Sequence, residues 1–354
     1  MTTLSAPPAV SSLAVPGVGE ALARQRTKRR GRLYALIRWA GAALFVAVFL
    51  ALLVTLLQQA APALGHMGLS ILWRGWNPQK NELGAGVFIV GTLLTTALAL
   101  LLAVPVGVGA AAMFAELAPR WIAGPLTAMV EFLAAIPSVV VGLWGLIVLT
   151  PLFARDVEPF LKTVPGLDAA FHGEPLGSSI LLAGVVLAIM ILPTVVALSR
   201  VAMTGVALAD REAGMALAAT RWQVVRKVVI PGAGRGIRAA VTLAMGRAMG
   251  EAIAVAFVIG NGSGLPHSLL SPGASLGSAI VSSFSEALPG SLLKSGVVAL
   301  VLVLLAISVA VNVGGQILMR TRRPAVPPRG PADGTGTPPT LAPDPGLVLV
   351  EMQP

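Results

Sequence analysis

Ser178-Ser-Ile-Leu-Leu-Ala-Gly-Val-Val-Leu-Ala-Ile-Met-Ile-Leu-Pro-Thr-Val-Val-Ala-Leu-Ser199 runs without a single charged residue. A helix needs about 20 consecutive apolar residues to cross a hydrocarbon core of about 30 Å. This stretch supplies them, with Pro193 near its end. Reading outward in both directions, comparable apolar runs occur at Trp39–Leu57, Gly84–Ala115, Ile122–Phe153, Gly236–Ile259 and Leu292–Met319. Gly84–Ala115 is too long for one upright span, and Pro105, Gly107 and Gly109 near its inner end predict a kink or break there. Ile122–Phe153 is interrupted by Glu131, Pro137, Gly142, Gly145 and Pro151, which suits one span followed by a re-entrant or short second helix. The pattern predicts an all-α polytopic membrane protein with about six transmembrane helices. Splitting the third region or discounting the first would make seven or five.

Composition agrees. The chain has 354 residues, 56% hydrophobic and 11% charged, against about 25% charged in soluble domains. Cysteine is absent, which excludes disulfide frameworks and thiolate sites. His66, His172 and His267 lie far apart without ligand spacing, so no metal site is expected. The first apolar run exceeds the roughly 7–15 residues of a signal-peptide core and reads as a retained anchor.

The net charge of +10 could suggest nucleic-acid binding, but its distribution argues for membrane topology. Basic residues crowd the arm before the first span (Arg24, Arg26, Lys28, Arg29, Arg30, Arg32, with Arg38 at its start). They also crowd the loop between spans four and five (Arg200, Arg211, Arg221, Arg226, Lys227, Arg235, Arg238) and the tail (Arg320, Arg322, Arg323, Arg329). The alternate loops hold only Arg74, Lys80, Arg155 and Lys162. Lys and Arg accumulate on the cytoplasmic side. A multi-pass protein of the bacterial inner membrane with both termini cytoplasmic is therefore expected, and no nucleic-acid partner. Residues 1–33 read as a disordered basic arm, 34–320 as the membrane domain, and 321–354 as a disordered Pro/Gly-rich tail. Acidic Asp156, Glu158, Asp168 and Glu174 fall in the outer loop 154–177.

Within residues 205–231 lies Asp210-Arg-Glu-Ala-Gly-Met-Ala-Leu-Ala-Ala-Thr-Arg-Trp-Gln-Val-Val-Arg-Lys-Val-Val-Ile-Pro231, which reads as two short helices. Asp210 can cap the first, with Glu212 in its first turn. Thr220 and Gln223 have capping-box spacing for the second, and Pro231 ends it. Trp222, Val225 and Val229 share one face. Such a paired-helix element suits docking into a groove on another protein. The bland alternative is a generic amphipathic loop.

Deeper in the membrane, Gly246-Arg-Ala-Met-Gly-Glu251 puts two charges inside the fifth span. Charged residues at that depth face a bundle interior or a polar pathway. Arg247 and Glu251 are four apart and can pair along one helix face, and Gly246 and Gly250 let another helix approach closely. Arg247 offers a permanently charged fork for an oxyanion; the alternative is a structural ion pair. Glu131 with the Pro137–Ser138 break forms a second candidate cluster, with a kinked packing helix as its alternative.

These residues carry a resemblance. The loop resembles the EAA loop of ABC-importer permeases at Glu212, Ala213, Gly214, Ala218, Val228, Ile230 and Pro231. It departs where Gly214 replaces an alanine and Ala218 replaces the turn glycine. Trp76-Asn-Pro78, Gly91-Thr-Leu93, Ala103-Val-Pro-Val-Gly107, Ala134-Ala-Ile-Pro-Ser-Val139, Gly142-Leu-Trp-Gly145 and Gly246–Glu251 with Val258-Ile-Gly-Asn261 are similar to the C-type permeases of bacterial phosphate importers, within the MetI-like superfamily. The resemblance covers roughly residues 35–320. It implies a heterodimer with an A-type permease, two ATPase subunits, a phosphate-binding protein docking from outside, and alternating access. It also implies that Glu212, Ala213, Gly214, Ala218, Thr220, Trp222 and Pro231 belong to the ATPase-coupling element, and that Arg247, Glu251, Glu131 and Ser138 belong to the substrate pathway. No catalytic residue and no cofactor are expected in this chain. It lacks Gly-x-x-x-x-Gly-Lys-Ser/Thr, so ATP-Mg would be bound by the partner ATPases. A permease for sulfate, molybdate or phosphonate would keep the loop and change the pore. An ATP-independent channel or secondary transporter would not need the loop. An intramembrane enzyme is disfavoured, because Glu131, Arg247 and Glu251 form no nucleophile–base pair.

Overall fold

The computed structural model describes residues 18–165 and 171–320. The first part of the basic arm, the whole tail from residue 321, and Asp168 lie outside the described residues. α1 runs over Val18–Met67, so the helix begins well inside the arm expected to be disordered. Once a helix is nucleated, each further residue adds a hydrogen bond at little entropic cost, and no proline interrupts 18–61. A short 3₁₀ turn and a two-stranded antiparallel hairpin follow, β1 (Trp76–Asn77) and β2 (Glu82–Leu83), with Trp76 opposite Leu83.

α2 then spans Gly86–Leu117, α3 Arg120–Ala135, α4 Ser138–Lys162 and α5 Ile180–Thr204. α6 (Leu208–Ala216) and α7 (Arg221–Gly232) form the paired element of the connecting loop. α8 (Gly234–Gly250) and α9 (Ile253–Val258) follow, then α10 (Leu276–Phe284) and α11 (Leu292–Arg320). Among the described residues, five helices are long and apolar enough to cross a membrane, and the bent pair of α7 with α8, at 68°, brings the number to six if it is counted as one span. That agrees with the expected six.

Three boundaries differ from expectation, each for a backbone reason. The third region splits at the expected Pro137 break, where Ile136 and Pro137 are both extended (ψ 128° and 138°), but in the reverse order: the shorter helix α3 comes first and the membrane-length α4 second. Proline excludes its predecessor from the helical region. α4 then continues past Phe153 to Lys162, so Glu158 lies inside a helix rather than in the outer loop. It is fully buried, and its Oε2 accepts the Gly177 amide at 3.1 Å, which pins the chain entering α5. Finally, the fifth region is not one helix. Glu251 adopts φ −76°, ψ 115° and separates α8 from α9.

The prolines are handled in a consistent way. π-turns at Met113–Leu117, Gly145–Leu149, Phe153–Val157 and Val225–Val229 each end two residues before a proline: Pro119, Pro151, Pro159 and Pro231. A proline ring collides with the carbonyl four residues earlier and supplies no amide. Widening the preceding turn relieves both defects. α4 therefore passes through Pro151 and Pro159, and α7 passes through Pro231 to Gly232 instead of ending at the proline. α2 likewise continues through Pro105 without the expected break.

The centre of the molecule is α5, which is packed most extensively against α2 and then against α8. Leu182, Val186, Leu187, Ile191 and Val195 of α5 meet Ala99 and Ala103 of α2, Ala244 and Ala248 of α8, and Val255 and Val258 of α9. Small side chains on the neighbours let the helices close in a medium where lipid offers no hydrophobic drive between them. α8 also packs on α11. A Cβ at Gly246 would lie 2.8 Å from Asn312 Nδ2, so glycine here leaves room for the Asn312 side chain of α11. Gly250 has nothing within 4 Å, so only half of the expected small-residue pair works as a contact. α1 packs along α11 through Ala60 and Ala63 against Val298 and Ala299. The outward face of α1, with Leu44, Phe45 and Val48, is exposed, as a lipid-facing surface should be.

Candidate functional site

Two sites emerge: a polar seam among α3, α5 and α8, and the paired helices α6 and α7. In the seam, the Arg247 guanidinium reaches from α8 to α5, where its Nη1 donates to Thr194 Oγ1 at 3.3 Å. Pro193, immediately before Thr194, lies inside α5. The pocket beside Arg247 is lined by Leu133, Ile136, Val141, Ile189 and Met190. The guanidinium therefore faces the break between α3 and α4. Ser138 opens α4 two residues beyond Ile136 but does not line that pocket.

The predicted pairing of Arg247 with Glu251 does not form. Glu251 has left the helix, and its Oε1 accepts the Ala254 amide at 3.4 Å across the start of α9. Helical i, i+4 geometry needs both residues in one continuous helix, and the turn at Glu251 removes it. Glu131 is not beside Arg247 either. It lines a separate pocket of about 90 Å³ between α3 and α5 with Thr127, Val196, Ala197 and Arg200. Sequence reading missed Thr194 and Arg200. Thr194 carried a usable signal, a hydroxyl directly after a proline within a span. Arg200 was counted only as a loop charge.

The paired helices match expectation in part. Thr220 caps α7 in a full capping box: its side chain accepts the Gln223 amide, and the Gln223 side chain accepts the Thr220 amide at 2.9 Å. Asp210 is not the cap of α6. Ala207 occupies that position, and Asp210 lies in the first turn, where its charge still favours the helix dipole. The apolar face of α7 is also divided differently. Val224, Val225 and Val229 are buried against Ala111, Ala112, Met203 and Ala233, whereas Trp222 is exposed together with Leu208, Met215 and Leu217. The exposed group, not the valine face, is available for docking. Of this group, Leu217 lines a groove of about 390 Å³ together with Gly214, Ala218, Ala219, Gln223 and Lys227 among others. Glu212 and Ala213 are exposed on α6. Gly214 faces α7, where a Cβ would lie 3.2 Å from Val224.

Ala218 adopts φ 56°, so the turn between the two helices is left-handed despite the missing glycine. An L-residue in that region costs roughly 1–2 kcal/mol. Ala218→Gly is expected to stabilise this turn by about 1 kcal/mol. The measurement is hydrogen exchange of amides 215–221 in the purified protein, which should slow about fivefold. Unchanged exchange would mean that the turn relaxes without strain.

Arg211, also missed, fastens this element to the bundle. Its Nη2 donates to Glu116 Oε1 and to the Met203 carbonyl, both at 2.8 Å. Both side chains of the ion pair are less than one-fifth exposed, so the contact is shielded from water and screening. It joins α6 to the ends of α2 and α5, 95 residues apart in sequence from Glu116 to Arg211.

With this geometry in view, comparison with known proteins is informative. The family model described as binding-protein-dependent transport system inner membrane component matches residues 103–324. The phosphate transport system permease protein PstC of Pasteurella multocida is 40% identical over 288 residues, covering 79% of this chain and 89% of that protein. Its counterpart in Haemophilus influenzae is 40% identical over 283 residues, covering 78% and 89%. Among solved structures, a bacterial ABC transporter involved in the import of the acidic polysaccharide alginate superposes with a TM-score of 0.50 at 16% identity, over 83% of this chain and 100% of that one. That similarity concerns the fold alone.

Proposed function

The chain belongs to the family of binding-protein-dependent transport system inner membrane components, and from that premise we propose that it is the permease subunit through which an ATP-driven importer moves inorganic phosphate into the cytoplasm. The observation that carries the substrate is 40% identity to phosphate permeases along 288 residues. The chemistry of the seam supports it. Arg247 presents a permanently charged fork at the α3–α4 break, and Thr194 orients one arm of it. A tetrahedral oxyanion can accept the remaining N–H groups. Glu251, Glu131 and Ser138 are assigned to the same pathway as flanking polar groups.

The chain is a non-catalytic membrane component. Two ATPase subunits would bind ATP-Mg and dock on the exposed Leu208, Met215, Leu217 and Trp222 surface, with Glu212, Ala213, Gly214, Ala218, Thr220 and Pro231 shaping that surface. The Arg211–Glu116 pair would carry its displacement to α2 and α5. An A-type permease would complete the pore, and an extracytoplasmic binding protein would deliver phosphate at the opposite face. The Lys and Arg distribution supports a cytoplasmic α6–α7 element and cytoplasmic termini.

The test is labelled phosphate uptake at low external phosphate in cells lacking this chain but retaining its partner subunits. The native chain is expected to restore uptake, and excess sulfate should not compete. Failure of a well-expressed chain to restore uptake, or full competition by sulfate, would overturn the phosphate assignment.

A further inference from the structure

Arg200 lies four residues before the end of α5, and its Nε is buried with no hydrogen-bond partner among the described residues. Arginine does not deprotonate in proteins. A buried donor on a charged group left without an acceptor is more costly than the roughly 1–3 kcal/mol of a neutral one. Such a donor needs an acceptor, which a water or an anion in the adjoining pocket can supply. The pocket beside it has a volume of about 90 Å³, well above the roughly 10–15 Å³ needed to admit one water. Glu131 lines the same pocket, yet no ion pair joins the two residues.

Arg200 is also placed in series with Arg247. Thr194, which holds the Arg247 guanidinium, lies six residues earlier on the same helix, a rise of about 9 Å. The two cations thus follow one another along α5 toward the end of the bundle that carries α6 and α7. A conduction path needs sites that bind well enough to load and are numerous enough to release.

We propose that Arg200 is a second anion-holding cation on the substrate path, an inner station that receives a phosphate-class oxyanion from Arg247, with Glu131 as a carboxylate on the wall of the same pocket that tempers its field. This rests on the phosphate reading of the same path. Glu131 then has a definite role: its negative charge in the same pocket lowers the hold of Arg200 on the anion.

The chain has no cysteine, so Ala197→Cys, in the lining of this pocket, introduces a single reactive thiol. In membrane vesicles containing the full chain and its partner subunits, that thiol is labelled with an anionic (sulfonatoethyl) or a cationic (trimethylammonioethyl) methanethiosulfonate, read from the mass of this chain. The anionic-to-cationic rate ratio should fall about tenfold when Arg200→Gln is added and rise when Glu131→Gln is added. Arg200→Lys, which keeps the charge, should preserve most of the ratio. Inorganic phosphate should slow the anionic reagent in the Ala197→Cys protein. A ratio unmoved by Arg200→Gln and by Glu131→Gln overturns the proposal. A ratio that responds to both, with no protection by phosphate, keeps the inner station and overturns the phosphate reading instead. If Arg200→Gln fails to assemble, the Glu131→Gln and Arg200→Lys ratios decide by the same criterion.

Discussion

Arg247→Gln is expected to lower phosphate uptake by about tenfold to a hundredfold with the chain still present in the membrane at its normal level. A hydrogen bond to a charged group contributes about 1.5–3 kcal/mol, and the substitution removes the only charge in its pocket while keeping comparable size and polarity. α8 should survive the change. The backbone packing of this helix rests on Ala244, Ala248 and the close approach of Gly246 to Asn312, none of which involves the guanidinium. Arg247→Lys should retain part of the activity, because a point charge replaces a planar fork. Thr194→Val should cause a smaller loss of a few fold, since it frees the fork without removing its charge. Labelled uptake with immunodetection of membrane levels checks all three. Normal uptake by Arg247→Gln would assign the arginine to bracing the α5–α8 contact and remove it from the pathway.

The second large effect concerns assembly. Gly91→Val is expected to reduce the membrane level of the chain several fold, whatever substrate it carries. A Cβ at Gly91 would lie 2.0 Å from the Ala274 carbonyl oxygen, and that neighbour is backbone, so no rotamer change can make room. Next to it, Thr92 Oγ1 accepts the Leu276 amide at 2.9 Å, which docks the start of α10 on α2. Pushing the two segments apart breaks this hydrogen bond and opens the small core of Phe88, Ala274, Leu276 and Leu300. A backbone clash combined with loss of a buried contact belongs to the changes that cost more than about 3 kcal/mol. Pulse-chase of the membrane-inserted chain should show faster degradation for Gly91→Val than for Thr92→Val, which loses only the hydroxyl's hydrogen bonds to Leu276 and Phe88. Equal lifetimes for native and Gly91→Val chains would refute the tight approach.

The same glycine illustrates how the sequence can carry information without explaining it. Gly91-Thr-Leu93 contributed to the resemblance, yet its physical meaning depends on Ala274, far away in the chain. Arg211 and Glu116 are similar: no spacing rule links residues 95 positions apart. The Thr220 capping box, in contrast, was readable because cap, acceptor and donor lie within four residues. Ala218 stands between these cases. The sequence marked it as a departure, and only the backbone angle of 56° decided that the turn is left-handed regardless. For the apolar face of α7, periodicity grouped Trp222 with Val225 and Val229, but a wider π-turn over Val225–Val229 and the positions of α2 and α5 decided which of them is buried.

By itself the sequence determined that this is a helical membrane protein with about six spans, and it located the paired helices, the Pro137 break and the intramembrane Arg247. Each of these rests on length, hydropathy, charge or a local backbone constraint, which act within one helix or one turn. Tertiary structure alone decided that Glu251 turns away from Arg247, that Thr194 takes its place, and that Glu131 faces Arg200 instead. Those outcomes depend on how α3, α5 and α8 are rotated against one another, and rotation is set by the packing of small and large side chains between helices, which no single stretch of sequence contains.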